Sequence, residues 1–130
     1  MTHQLPVRVY YEDTDLAGIV YYANYLKFIE RGRSEWVRAL GVDQAALQRQ
    51  GLVFAVRRVA ADYLSSARYD DLLDVRTELL KVGGASLMVR QGVWRGDTQL
   101  FRADVTVAMV NENGRPARIP ADIRRLFGQA

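Results

Sequence analysis

At 130 residues, about half of them apolar, the chain is long and hydrophobic enough to bury one core, and 1–130 is expected to form a single domain. Its 18 basic and 15 acidic side chains leave a net charge of +3 with the arginines spread along the chain, which argues against a nucleic-acid surface. Zero cysteines and one histidine, His3 in a segment expected to fray, exclude disulfides and thiol catalysis and leave a Ser-His-Asp triad or a metal site without support.

No apolar run approaches the ~20 residues of a membrane span. The opening Met-Thr-His-Gln-Leu-Pro lacks the charged-then-apolar layout of a signal peptide, so a cytoplasmic location is expected.

Alternation of Val7, Val9 and Tyr11 predicts a first strand over 6–12. It runs into two acids, Asp13 and Asp15, and a turn at Leu16-Ala17-Gly18. A helix is predicted over 22–40. Tyr22, Tyr25, Leu26, Ile29, Gly32, Trp36 and Leu40 share one stripe, and Gly41 suits the position after its end. Gly32 in mid-helix costs about 1 kcal/mol against alanine, so close approach of a sheet is the reason to keep it. Residues 43–50 predict a short helix capped by Asp43 and closed by Gly51. Strands follow near 53–64, 72–82, 86–95 and 100–110, separated by turns at 68–71, 83–84, 96–97 and 111–114. A last helix begins after Pro120. The class is α+β, a curved, mainly antiparallel sheet of about five strands around one long helix.

Between the first strand and the long helix the chain places a carboxylate just ahead of a helix N-terminus, where unpaired N–H groups favour developing negative charge. That pairing suits acyl transfer or hydrolysis. Turn and cap roles alone would equally account for Asp13, Thr14 and Asp15.

The motif Asp-Thr-Asp-x-x-Gly-x-Val-Tyr-x-x-x-Tyr at 13–25 resembles the active-site segment of the hotdog-fold acyl-CoA thioesterases, specifically the 4-hydroxybenzoyl-CoA and Tol-Pal-associated group. Ser66-Ala67-Arg68-Tyr69-Asp70-Asp71, Ala85-Ser86-Leu87 and Gly114-Arg115-Pro116-Ala117-Arg118-Ile119-Pro120 extend the resemblance over nearly the whole chain. The resemblance implies a hotdog fold and a thioester hydrolase without cofactor or metal. It makes Asp15 the essential carboxylate, as nucleophile or as general base for water, and leaves Asp13 to brace the loop. It makes the backbone N–H of Tyr22 the donor to the thioester carbonyl. Gly18, Tyr21, Tyr25, Arg68 and Arg118 become candidate substrate contacts, although most of the aromatic residues also fit a core.

The sequence departs from the group twice. Tyr22 stands where Tol-Pal-associated members usually carry histidine, which leaves the backbone donor but not that side chain. The turn that is basic in the 4-hydroxybenzoyl enzyme reads Val82-Gly83-Gly84-Ala85 here, so phosphate binding would lean on Lys81, Arg57, Arg58, Arg68, Arg115 or Arg118. The implied partners are an acyl-CoA with a short-chain or aromatic acyl group and a second copy of the chain, in a homodimer or homotetramer with shared active sites. An acyl carrier protein thioester is the alternative substrate. A non-catalytic acyl-CoA-binding or scaffold protein tied to envelope or phospholipid machinery is the alternative of another class.

Overall fold

The computed structural model describes residues 2–129. In chain order the elements are β1 (His3–Arg8), α1 (Asn24–Ala39), α2 (Gln44–Arg49), β2 (Val53–Tyr63), β3 (Leu72–Val82), β4 (Ser86–Arg95), β5 (Thr98–Val110) and α3 (Ala121–Gly128). The strands form one antiparallel five-stranded sheet in the order β1-β3-β4-β5-β2, and α1 packs across its concave side against β1, β3 and β4. This is the α+β arrangement expected.

Two boundaries differ from expectation. The first strand starts earlier and stops at Arg8, pairing His3 with Thr77 and Arg8 with Leu72. His3 therefore lies in the sheet, not in a frayed end. Beyond Arg8 the alternation fails because the Asp13 Oδ2 accepts the Tyr10 N–H at 2.8 Å and pulls Tyr11–Asp13 into a 3₁₀ turn. That leaves Tyr10 and Tyr11 exposed. The long helix begins at Asn24, so Tyr22 precedes its first turn, although Ala23 already has helical φ/ψ of −69° and −21°.

The face that α1 buries is Tyr25, Phe28, Ile29, Gly32, Trp36 and Val37. Phe28 and Val37 join it, while Tyr22 and Leu26 face outward. Replacing Phe28, which is fully buried, by alanine would cost about 3–5 kcal/mol. At Gly32 a Cβ would sit 2.5 Å from Val75 Cγ1, so only glycine lets the helix approach β3 this closely.

A buried polar cluster fixes the helix on the sheet. Gln91, with no exposed surface, donates from Nε2 to the Ile29 carbonyl (2.7 Å) and to Thr77 Oγ1 (2.9 Å). Arg33 Nη1 donates to Gln91 Oε1 at 2.9 Å.

The short helix α2 forms as expected, with Asp43 Oδ1 accepting the Ala46 N–H. α3 closes one end of the core through Phe127, which packs on Trp36 and Phe54.

Candidate active site at the entry to the long helix

The loop between β1 and α1 folds back on itself. Thr14 bridges Val20, the Asp15 N–H donates to the Ile19 carbonyl (2.9 Å), and the Tyr21 N–H donates to the Asp13 carbonyl (2.9 Å). Asn24 Nδ2 reaches the same Asp13 carbonyl at 2.9 Å, tying the helix start to the loop. At the tip the Gly18 N–H closes a turn on the Asp15 carbonyl. Gly18 has φ +80° with open space around it, so turn geometry accounts for glycine within one chain.

Asp13 and Asp15 are placed differently. Asp13 is 9% exposed and its carboxylate accepts the Tyr10 N–H. Asp15 is half-buried, and its Oδ1 accepts the Ala17 N–H at 2.9 Å. That bond fixes the carboxylate on the turn of the loop that leads into α1. No backbone carbonyl among the described residues accepts the Tyr22 N–H.

The Tyr22 peptide is held from its other side. Tyr63, the last residue of β2, donates its hydroxyl proton to the Tyr22 carbonyl at 2.9 Å. Burial, then the neighbouring Tyr22 and Tyr25, pushes the Tyr63 hydroxyl pKa further up from its ordinary 10.0. The Tyr63 ring packs edge-on against Tyr22, Tyr25 and Phe101. Tyr63 and Asn24 escaped sequence reasoning. An aromatic at the end of an edge strand and an asparagine at a helix start were the available signals, but each has many other uses.

The remaining candidates divide by location. Tyr21 is exposed and its ring meets Tyr22 edge-on at 5.0 Å. Tyr25 is core: it stacks on Phe101 at 5.1 Å, and its hydroxyl oxygen accepts the Ala67 N–H at 3.0 Å. Burial, partly offset by that bond, raises its pKa. Arg68 lies beside the site, because Ile19 bridges it and the Val20 N–H donates to the Ala67 carbonyl. Its loop is pinned by Asp71, whose Oδ2 accepts the Arg68 N–H (2.8 Å) and Arg95 Nη1 (2.8 Å). Burial alone would raise the Asp71 pKa, but the Arg68 N–H and the Arg95 guanidinium together outweigh it and hold the carboxyl below its ordinary 3.8.

Arg118 lies at the other end of the sheet. It lines a groove with Arg124, Arg125 and Val82, beside the β3–β4 turn, while Asp15 sits near the Tyr63 and Phe101 ends of β2 and β5. One chain therefore does not bring Arg118 to Asp15. Among the described residues, no group of three His, Cys, Asp or Glu could hold a metal ion, and no helix is long and apolar enough to cross a membrane.

The corner is open in the single chain, with Leu16 fully exposed and Tyr22 62% exposed. Beside it runs β2, eleven residues long and unpaired on its outer side, with Val53, Val56, Val59 and Tyr63 exposed.

Comparison with known proteins covers most of the chain. Residues 17–101 match the family model of the thioesterase superfamily. The chain is 44% identical over 124 residues to the acyl-CoA thioesterase YbgC of Haemophilus influenzae, covering 94% of this chain and 91% of that one. A crystal structure of a probable thioesterase from Bartonella henselae superposes with a TM-score of 0.87 at 38% identity, covering 92% of this chain and 100% of the other. The structure of a 4-hydroxybenzoyl-CoA thioesterase variant complexed with 4-hydroxybenzoyl-CoA superposes with a TM-score of 0.89 at 25% identity, covering 97% and 98%.

Proposed function

The chain belongs to the thioesterase superfamily, and from that premise we propose that it hydrolyses short-chain or aromatic acyl-CoA thioesters with Asp15 as the reacting carboxylate. What supports this reading is that the loop leading into α1 carries both a half-buried, anchored carboxylate and an N–H, that of Tyr22, which no backbone carbonyl among the described residues accepts. The thioester carbonyl oxygen accepts a hydrogen bond from the Tyr22 N–H, which stabilises the negative charge that forms on attack. Asp15 either attacks the carbonyl carbon, giving a mixed anhydride that water cleaves, or takes a proton from an attacking water. The coenzyme A thiolate leaves in both routes. Single turnover in ¹⁸O-water identifies an anhydride that water opens at the aspartyl carbon, because the first product molecule then keeps a protein oxygen, and hydroxylamine trapping identifies one opened at the acyl carbon.

Tyr63 and Asn24 act as positioning residues, holding the Tyr22 peptide and the loop at the helix entry. Tyr21, Gly18 and Arg68 border the bound thioester, and Tyr25 forms the floor beneath them through its hydrogen bond to Ala67.

We further propose a homodimer in which the β2 edges pair. An eleven-residue unpaired strand with exposed valines and tyrosine would template aggregation if left bare. Pairing would also cover the open Asp15 corner with the partner's surface, so each site is shared, and Arg118 could serve the site of the other protomer. A tetramer would add a second contact, with two dimers back to back. The cysteine-free sequence fits a cytoplasmic location, and we treat 1–130 as one catalytic domain.

The test is release of free thiol from a panel of short, long and aryl acyl-CoAs, with carrier-protein thioesters as a parallel arm. Turnover on acyl-CoA, highest with short or aryl groups, is expected. Binding without turnover on any thioester would establish a non-catalytic binding protein instead.

A further inference from the structure

Between α1, the start of β2 and α3 lies a cavity of about 270 Å³ walled by Trp36, Phe54, Val56, Leu87, Val107 and Phe127. At a liquid water's ~30 Å³ each, that is room for roughly nine heavy atoms. Arg33 is the one cation in this apolar lining. It is half-buried, and Gln91, itself fully buried and committed to Ile29 and Thr77, holds one of its N–H groups.

Arg33 has no ion-pair partner within 4.0 Å among the described residues. Glu30, the only acid in the lining, is solvent-exposed, and its carboxylate accepts from Ser34 Oγ at 2.9 Å. Burial lowers the Arg33 pKa, and the charge of Glu30 only opposes that shift. A guanidinium has five N–H donors in a planar fork, and removing it from water without a counter-charge is unfavourable. A ligand carboxylate would accept two parallel hydrogen bonds from it.

We propose that this cavity takes the far end of an acyl group bearing a terminal carboxylate, with Arg33 as its counter-ion, so that mono-CoA thioesters of short dicarboxylic acids are preferred substrates. The proposal rests on the acyl-CoA and edge-pairing readings above. Along α1, Arg33 lies about 14 Å from Asn24 at 1.5 Å per residue, too far for a short acyl group bound at the same chain's helix entry. Antiparallel pairing of two β2 strands about their centres puts the Tyr63 end of one beside the Val53–Val56 end of the other. The cavity of one protomer then adjoins the Asp15 corner of its partner.

Two measurements test this separately. The first compares kcat/KM for glutaryl-CoA and pentanoyl-CoA, which match in length and differ in the terminal carboxylate. Wild type is expected to favour glutaryl-CoA at least tenfold. Arg33→Met should bring the ratio to one or below, and Arg33→Lys should fall between. The second is calorimetric binding of free adipate against hexanamide, which has the same length and no carboxylate; neither needs turnover. Adipate is expected to bind wild type at least tenfold tighter, with the margin lost in Arg33→Met. Melting curves verify that each variant is folded, and if Arg33→Met does not fold, wild type and Arg33→Lys decide. No hydrolysis of either thioester would overturn the short-chain part of the proposed function while adipate binding still decides the role of Arg33. Equal treatment of the paired ligands by wild type would overturn the proposal itself.

Discussion

Asp13 and Asp15 are separated by one threonine and belong to different parts of the molecule. Asp13 faces inward and holds the loop through side chain and backbone: its carboxylate takes the Tyr10 N–H and its carbonyl takes Tyr21 and Asn24. Asp15 is half-buried and anchored by one N–H from Ala17, in the same loop as the Tyr22 N–H that no backbone carbonyl among the described residues accepts. In the proposed mechanism these chemically identical side chains divide into a brace and a reagent according to how far the fold buries each. Each carboxylate accepts one backbone N–H, and burial separates them: Asp13 is buried in the loop, while Asp15 is half-exposed and can meet a substrate.

Substitutions that spare shape but change chemistry should separate the two roles. The largest effect is expected from Asp15→Asn, which should lower kcat by about 10²–10⁴-fold, as removal of a general base or nucleophile does, with the melting temperature unchanged. Next is Tyr22→Pro. It deletes the N–H that the fold does not use, and by analogy with losing an oxyanion-hole donor should cost about 3 kcal/mol in the barrier. Tyr22→Phe should keep most activity, and steady-state turnover on one acyl-CoA compares the two. Asp13→Ala acts on the other side of the division. It leaves the Tyr10 N–H without its acceptor, with an expected loss of about 1–3 kcal/mol in denaturant unfolding and a secondary loss of turnover.

Smaller effects sharpen the picture. Tyr63→Phe removes the hydrogen bond to the Tyr22 carbonyl and should lower kcat more than it raises KM, with about 1 kcal/mol of stability lost. Smallest is the acid limb of stability. The Asp71 carboxyl lies below its ordinary 3.8, so its stabilising contribution is full above that value and is lost as pH falls through the lowered folded value. Asp71→Asn should flatten thermal stability against pH in that window.

Much of this was legible in the sequence because local signals agreed with the global fold. Alternation gave β3, β4 and β5 nearly to the residue, and the Asp43 cap and Gly51 delimited α2. Gly32 announced the close approach of helix and sheet that Val75 enforces. The first strand was read too far because Tyr11 continues its alternation, and nothing local reveals that Asp13 captures the Tyr10 N–H. The helix start was placed two residues early because Tyr21, Tyr22 and Ala23 suit a helix, while the Asp13 carbonyl takes the Tyr21 N–H instead. The support from Tyr63 and the separation of Arg118 from Arg68 depend on which strand ends meet, and no spacing along the chain encodes that directly.

The most direct test of the division between the two aspartates is a calorimetric titration of the Asp15→Asn protein with butyryl-CoA, with free thiol followed in the same samples. The account predicts binding with an affinity close to that of wild type for a non-hydrolysable analogue, and essentially no thiol released. Thiol release at the wild-type rate by the folded variant would contradict it.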